Sequence, residues 1–143
     1  MGTFISGSVA SDRLLHFSMW AAQALLASFF AAMACLKLLL QPARLVEVMA
    51  WSASLPLGLV RALGVCELLA AIAIAAPAVT RAPQRVVGWS ATFFATLMAS
   101  AAIVHIARGE LRMVAINVLV LALAAFVAWG RLTHDPLEAT SSR

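Results

Sequence analysis

Four long apolar runs constrain this chain more than anything else in it. They cover about residues 17–40, 57–76, 86–106 and 113–129, each near the roughly 20 residues an α-helix needs to cross a bilayer. Residues 17 to 36 carry no charged side chain at all. In hydrocarbon a backbone N–H or C=O must be paired inside the protein, so runs of this kind fold as helices. Four of them in 143 residues leave room for one compact bundle. Composition agrees: 64% of residues are hydrophobic and 11% charged, whereas a soluble domain is about half apolar and a quarter charged. The fold expected is all-α, a transmembrane four-helix bundle in a single membrane domain over 17–131.

The connections fit that reading. Residues 1–16 form a polar lead-in and 132–143 a polar tail. Gln41-Pro42 ends the first run. Residues 43–54 then place Leu45, Val48 and Met49 on one helical face, away from Arg44 and Glu47. This segment reads as a short amphipathic helix lying in the membrane interface, anchored by Trp51. Pro56 restarts the chain into the second span, Pro77 and the polar residues 80–85 form the next turn, and residues 108–112 make a tight link between the last two spans.

An even number of spans puts both termini on one side, where Trp20, Trp89 and Trp129 form an aromatic belt. Arg13, Arg81, Arg85, Arg131 and Arg143 lie on that side, against Arg44, Arg108 and Arg112 on the other. The excess favours cytoplasmic termini. The first residues lack the basic region of a cleaved signal peptide. Met1 to Ser6 fits the N-myristoylation pattern, which would add little to a chain already anchored four times. The net charge of +4 is carried by arginines flanking apolar runs rather than by a basic stretch interleaved with aromatics, so nucleic acid is not the expected partner. Cys35 and Cys66 form no CxxC pair and no zinc spacing; both fall in apolar runs towards the same membrane face, and their pairing is left open.

The chemistry lies in polar residues that the spans should exclude. Lys37 is near the end of span one, Arg61 near the start of span two, His105 near the end of span three and Asn117 in the second turn of span four. Antiparallel neighbours bring these ends to the leaflet opposite the termini. Glu67 lies about 9 Å deeper than Arg61. A charge at such a position costs roughly 2.5–3.5 kcal/mol on insertion scales, so a carboxylate there marks a candidate site. Lys37, Arg61, Glu67, His105 and Asn117 are therefore expected to face the bundle interior as one ligand-binding set. Each has a plainer alternative: Lys37 and Arg61 could snorkel, His105 could make an interfacial hydrogen bond, Asn117 could join helices, and Glu67 could be a structural ion pair with Arg61 or Lys37. Gln23, at the opposite end of span one, is assigned to packing or an interfacial hydrogen bond. Two cations beside Glu67 and His105 would repel a metal ion, so no metal site is expected, and haem and iron–sulfur ligand sets are missing.

Lys37 closing span one, Leu55-Pro56, then Arg61-Ala62-Leu63-Gly64-Val65-Cys66-Glu67-Leu68-Leu69, with His105 and Asn117 in the later spans, resembles the DoxX-like membrane proteins over about residues 17–131. The resemblance implies a four-helix membrane bundle in the inner membrane. The name-giving member is a subunit of a membrane thiosulfate:quinone oxidoreductase, and other members are linked to thiol and oxidative-stress proteins. It implies site roles for Arg61, Gly64 and Glu67, and extends to Lys37, His105 and Asn117. The leading functional expectation is an accessory subunit, serving a membrane redox partner, whose polar pocket holds a lipophilic ligand such as a quinone or docks a partner helix. The alternative is a small intramembrane enzyme in which Glu67 and His105 perform acid/base chemistry and Arg61 or Lys37 binds an anionic group. No cofactor other than a quinone is suggested, and a homo-oligomer is left open.

Overall fold

The computed structural model describes residues 3–133, with side chains from Arg13 onward. The first residues of the myristoylation pattern and the tail beyond Thr133 lie outside the described residues. Five α-helices follow one another with no strand among the described residues: α1 Thr3–Leu39, α2 Pro42–Val48, α3 Leu57–Ala75, α4 Gln84–Ala107 and α5 Leu111–Thr133. Four stretches are long and apolar enough to cross a membrane: Arg13–Leu39, Leu57–Ala78, Gln84–Ala107 and Leu111–Thr133.

The helix boundaries follow from the punctuation. Between Thr3 and Arg13 there is no proline, and α1 runs back through most of the polar lead-in, beyond the apolar part of the helix. Pro42 occupies the first turn of α2, where its missing N–H costs nothing. The amphipathic segment expected as one helix over 43–54 is divided at Met49, whose backbone (φ −131°, ψ 77°) leaves the helical region, and a 3-10 turn, Ala50–Ser54, continues it. Leu45 and Met49, one turn apart, are buried against Val60 together with Met33, Leu36, Leu40 and Trp51. This segment is thus held down on the ends of α1 and α3. Pro56 and Pro83 precede α3 and α4, and Pro77 ends α3 in a 3-10 turn.

The α4–α5 turn closes through Gly109, whose φ of +72° is the left-handed conformation glycine adopts without strain. The Gly109 N–H donates to Ile106 O at 3.0 Å and the Glu110 N–H to His105 O at 2.9 Å. That is a Schellman closure, and it pairs carbonyls the end of α4 would otherwise leave open.

The spans pack as two hairpins, α1 with α3 and α4 with α5. The hairpins meet along α3–α4 and, more sparsely, along α1–α5. Their shared core contains Leu26 and Phe30 from α1, Ile74 from α3, Val87 and Phe94 from α4, and Ala124 and Val127 from α5. The Phe30 and Phe94 rings stack with centroids 3.5 Å apart. Outside, Leu25, Leu59, Ile72, Ile103 and Leu119 are well exposed. Helices that are apolar on every side face hydrocarbon, and these side chains are the lipid-contacting surface.

Candidate functional site

Helical side chains lean towards their own N-terminus. On antiparallel α1 and α3, that tilt carries Lys37 inward from the end of α1 and Glu67 outward from the middle of α3, until the two heads meet. Lys37 Nζ donates to Glu67 Oε1 at 2.9 Å and to Oε2 at 2.7 Å. Both residues are buried, 4% and 2% exposed, so the pair is closed to bulk water. Gly64, one turn before Glu67, makes this approach feasible. A Cβ at that position would lie 3.0 Å from Lys37 Cβ and 3.2 Å from Leu38 Cγ. The ring of Trp51, brought over by the segment after α2, lies 5.8 Å from Lys37 Nζ and adds a cation–π contact.

Arg61 performs a different task. Its guanidinium donates to the backbone carbonyl of Lys37 and, at 2.7 Å, to that of Leu40. The last four carbonyls of a helix have no intrahelical donor. Arg61 therefore caps α1 from the neighbouring helix. Of the two cations weighed as partners of Glu67, the structure selects Lys37, while Arg61 fixes the backbone that carries it.

His105 and Asn117 complete the expected set unevenly. His105 Nδ1 pairs with the Glu110 carboxylate, which also accepts from Arg108 Nε at 2.7 Å. These contacts, Arg108 foremost and His105 next, hold the Glu110 carboxyl below its usual range. His105 is thus engaged with the α4–α5 turn. Asn117 is buried, 8% exposed, and its Nδ2 finds no acceptor among the described residues. It sits about 9 Å into α5 from Leu111.

A second buried polar group lies at the terminal end of the bundle. Arg131 Nε donates to Gln23 Oε1 at 2.7 Å, and a second guanidinium N–H reaches the same oxygen. Gln23 Nε2 donates to Ile74 O at 3.3 Å, a carbonyl in the last turn of α3. The guanidinium also lies 5.4 Å from the Trp20 ring centre. The expectation of packing or an interfacial hydrogen bond for Gln23 thus becomes a three-helix junction. Arg131, read only as a flanking charge, is 6% exposed. The signal was present: Asn117, Ala124 and Arg131 recur at intervals of seven and share one face of α5.

Cys35 and Cys66 are both free and exposed. No group of three or more His, Cys, Asp or Glu side chains able to hold a metal ion occurs among the described residues.

Residues 21–127 match the DoxX-like family, which is most of the chain. The chain belongs to the DoxX-like family. With its four spanning helices, this DoxX-like chain is a multi-pass membrane protein. No curated protein and no solved structure matches it.

Proposed function

We propose that this DoxX-like protein is an accessory subunit of an inner-membrane redox system, holding a lipophilic ligand such as a quinone at the end of the bundle opposite the termini. The observation that carries the non-catalytic part is the closure of Glu67: Lys37 donates to both of its oxygens, and the residue is 2% exposed, so the remaining lone pairs face the packed interior. A general base needs a lone pair within reach of a substrate proton. His105, the other candidate for acid/base work, is engaged by Glu110 instead of Glu67. The two residues of the enzyme reading therefore have separate partners, which supports the accessory reading over it. The arginines flanking the terminal side support cytoplasmic termini, which puts the Lys37–Glu67 end nearer the outer face of that membrane.

The ligand part rests on the architecture of that end. A charge-neutralised pair lies under the Trp51 ring of a short segment packed on the ends of α1 and α3, and α5 carries a buried, unpartnered amide, Asn117, towards the same end. Purification from native membranes in mild detergent, followed by organic extraction and mass spectrometry, tests this directly. The expected result is a stoichiometric redox partner and a lipophilic carbonyl compound near one per chain. A chain that runs alone and retains nothing but bulk phospholipid refutes the proposal.

A further inference from the structure

The geometry points to Asn117 as the recognition donor of that site, taking an uncharged lipid-soluble molecule through a carbonyl oxygen. This inference rests on the ligand reading above and specifies its chemistry. Inside the bundle at this end, away from the exposed Arg112 at the start of α5, the charged groups are already committed. Lys37 and Glu67 neutralise each other, the Arg61 guanidinium is spent on two carbonyls of α1, and the His105 ring faces Glu110. A guest ion would have to break one of these arrangements. What remains is the Asn117 Nδ2 amide, buried and without an acceptor among the described residues. Buried donors of this kind are almost always paired, and an amide nitrogen can only donate. Its complement is therefore an acceptor oxygen that brings no charge.

The surroundings define the rest of the molecule. Asn117 lies about 9 Å along α5 from its start, past the headgroup zone. It shares its helix face with Ala124 and Val127, which belong to the apolar core. The guest's carbonyl must accordingly sit on an apolar body. The hairpins meet more sparsely along α1–α5 than along α3–α4, so the proposed guest would enter from the bilayer between α1 and α5. Ser52, in the segment over the Lys37–Glu67 pair, has the other buried hydroxyl or amide donor at this end without a partner among the described residues. Two sources supply this chemistry: the ring carbonyl of a diffusing quinone-like compound, or the ester carbonyl of a bilayer phospholipid.

The test uses the full chain in nanodiscs and reads the infrared carbonyl stretch. One arm uses ether-linked lipids, which lack carbonyls, with a short-chain benzoquinone carrying ¹³C carbonyls. The other uses ester-linked lipids with ¹³C at the ester carbonyl and no quinone. The expected result is saturable quinone binding with a down-shifted carbonyl band, and in Asn117→Leu loss of that band and at least tenfold weaker binding. A shifted band found only in the ester-lipid arm, and lost in Asn117→Leu, keeps Asn117 as a carbonyl donor but makes the lipid its guest; the quinone reading then fails. Quinone binding whose band is unshifted in the wild type, or unchanged in Asn117→Leu, overturns the role of Asn117 and leaves the ligand reading standing. No binding and no shifted band in either arm overturns both. The wild-type band decides the matter even if Asn117→Leu does not fold.

Discussion

Breaking the Lys37–Glu67 pair from either side should harm the bundle far more than removing it altogether. Lys37→Met leaves a carboxylate in a position 2% exposed, and Glu67→Met leaves an ammonium in one 4% exposed. An uncompensated buried charge of this kind costs about 3–5 kcal/mol, roughly a hundred- to several-thousand-fold in the folding equilibrium. The double variant replaces the pair by two thioether chains of similar length. Substitution of buried ion pairs by apolar residues is about neutral or stabilising by ~1–4 kcal/mol. Lys37→Met leaves the backbone carbonyl that Arg61 grips untouched, so the cycle isolates the side-chain interaction. Reversible unfolding in sodium dodecyl sulfate, followed by circular dichroism, would measure all four corners. The expected coupling is at least about 3 kcal/mol, with the double variant close to wild type. Near-silent single variants, or a double variant that loses the sum of both, would refute the claim that the two heads neutralise each other out of contact with water.

Other consequences can be checked on the same material. Gly64→Ala should cost about 1 kcal/mol net, because overpacking against Lys37 Cβ at 3.0 Å outweighs the gain in helix propensity; an equally stable variant would show that α1 and α3 can separate freely. Arg131→Met should lose about 1–3 kcal/mol by leaving Gln23 Oε1 buried without its donors, and Gln23→Leu in the same chain should recover part of it. The Glu110 carboxyl is depressed in the folded protein, so its contribution is complete at neutral pH and is lost as pH falls from the ordinary carboxylate range through its lowered value. Melting curves of the wild type should therefore drop more steeply than those of Glu110→Gln between pH 5 and pH 2, and parallel curves would count against the Arg108–Glu110–His105 contact.

Much of this arrangement was legible in the residues, and what was not has identifiable causes. Four spans, their turns and the polar end of the bundle follow from hydropathy and proline placement, because hydrocarbon permits little else. The partner of Glu67 was harder to read. Arg61 is nearest along the chain, yet six residues at about 100° each put it around the side of α3, away from Glu67, while Lys37 is thirty residues off but on the adjoining face. His105 shares a leaflet with the pair, but the Schellman turn folds Glu110 back beside it, and that local contact prevails. The Gln23–Arg131 contact spans 108 residues and depends on α1 lying against α5, which no local pattern encodes. The division of 43–54 at Met49 likewise arises from docking Leu45 and Met49 on Val60, a tertiary effect that overrides a continuous amphipathic pattern.

The two polar groupings have a mechanical consequence. On α1, Gln23 and Lys37 are fourteen residues apart, and so are Asn117 and Arg131 on α5, a spacing of two heptads or about 21 Å. The buried side chains between them, Leu26, Phe30 and Ala34 on α1 and Ala124 and Val127 on α5, are all apolar, and lipid tails would solvate them as readily as the neighbouring helix does. A one-turn slip of α1, about 5.4 Å, would meet little resistance from that middle layer. It would, however, part Lys37 from Glu67 and Gln23 from Arg131 at the same moment. The buried polar pairs therefore act as paired dowels, setting the vertical alignment of the spans that a greasy interior leaves undetermined.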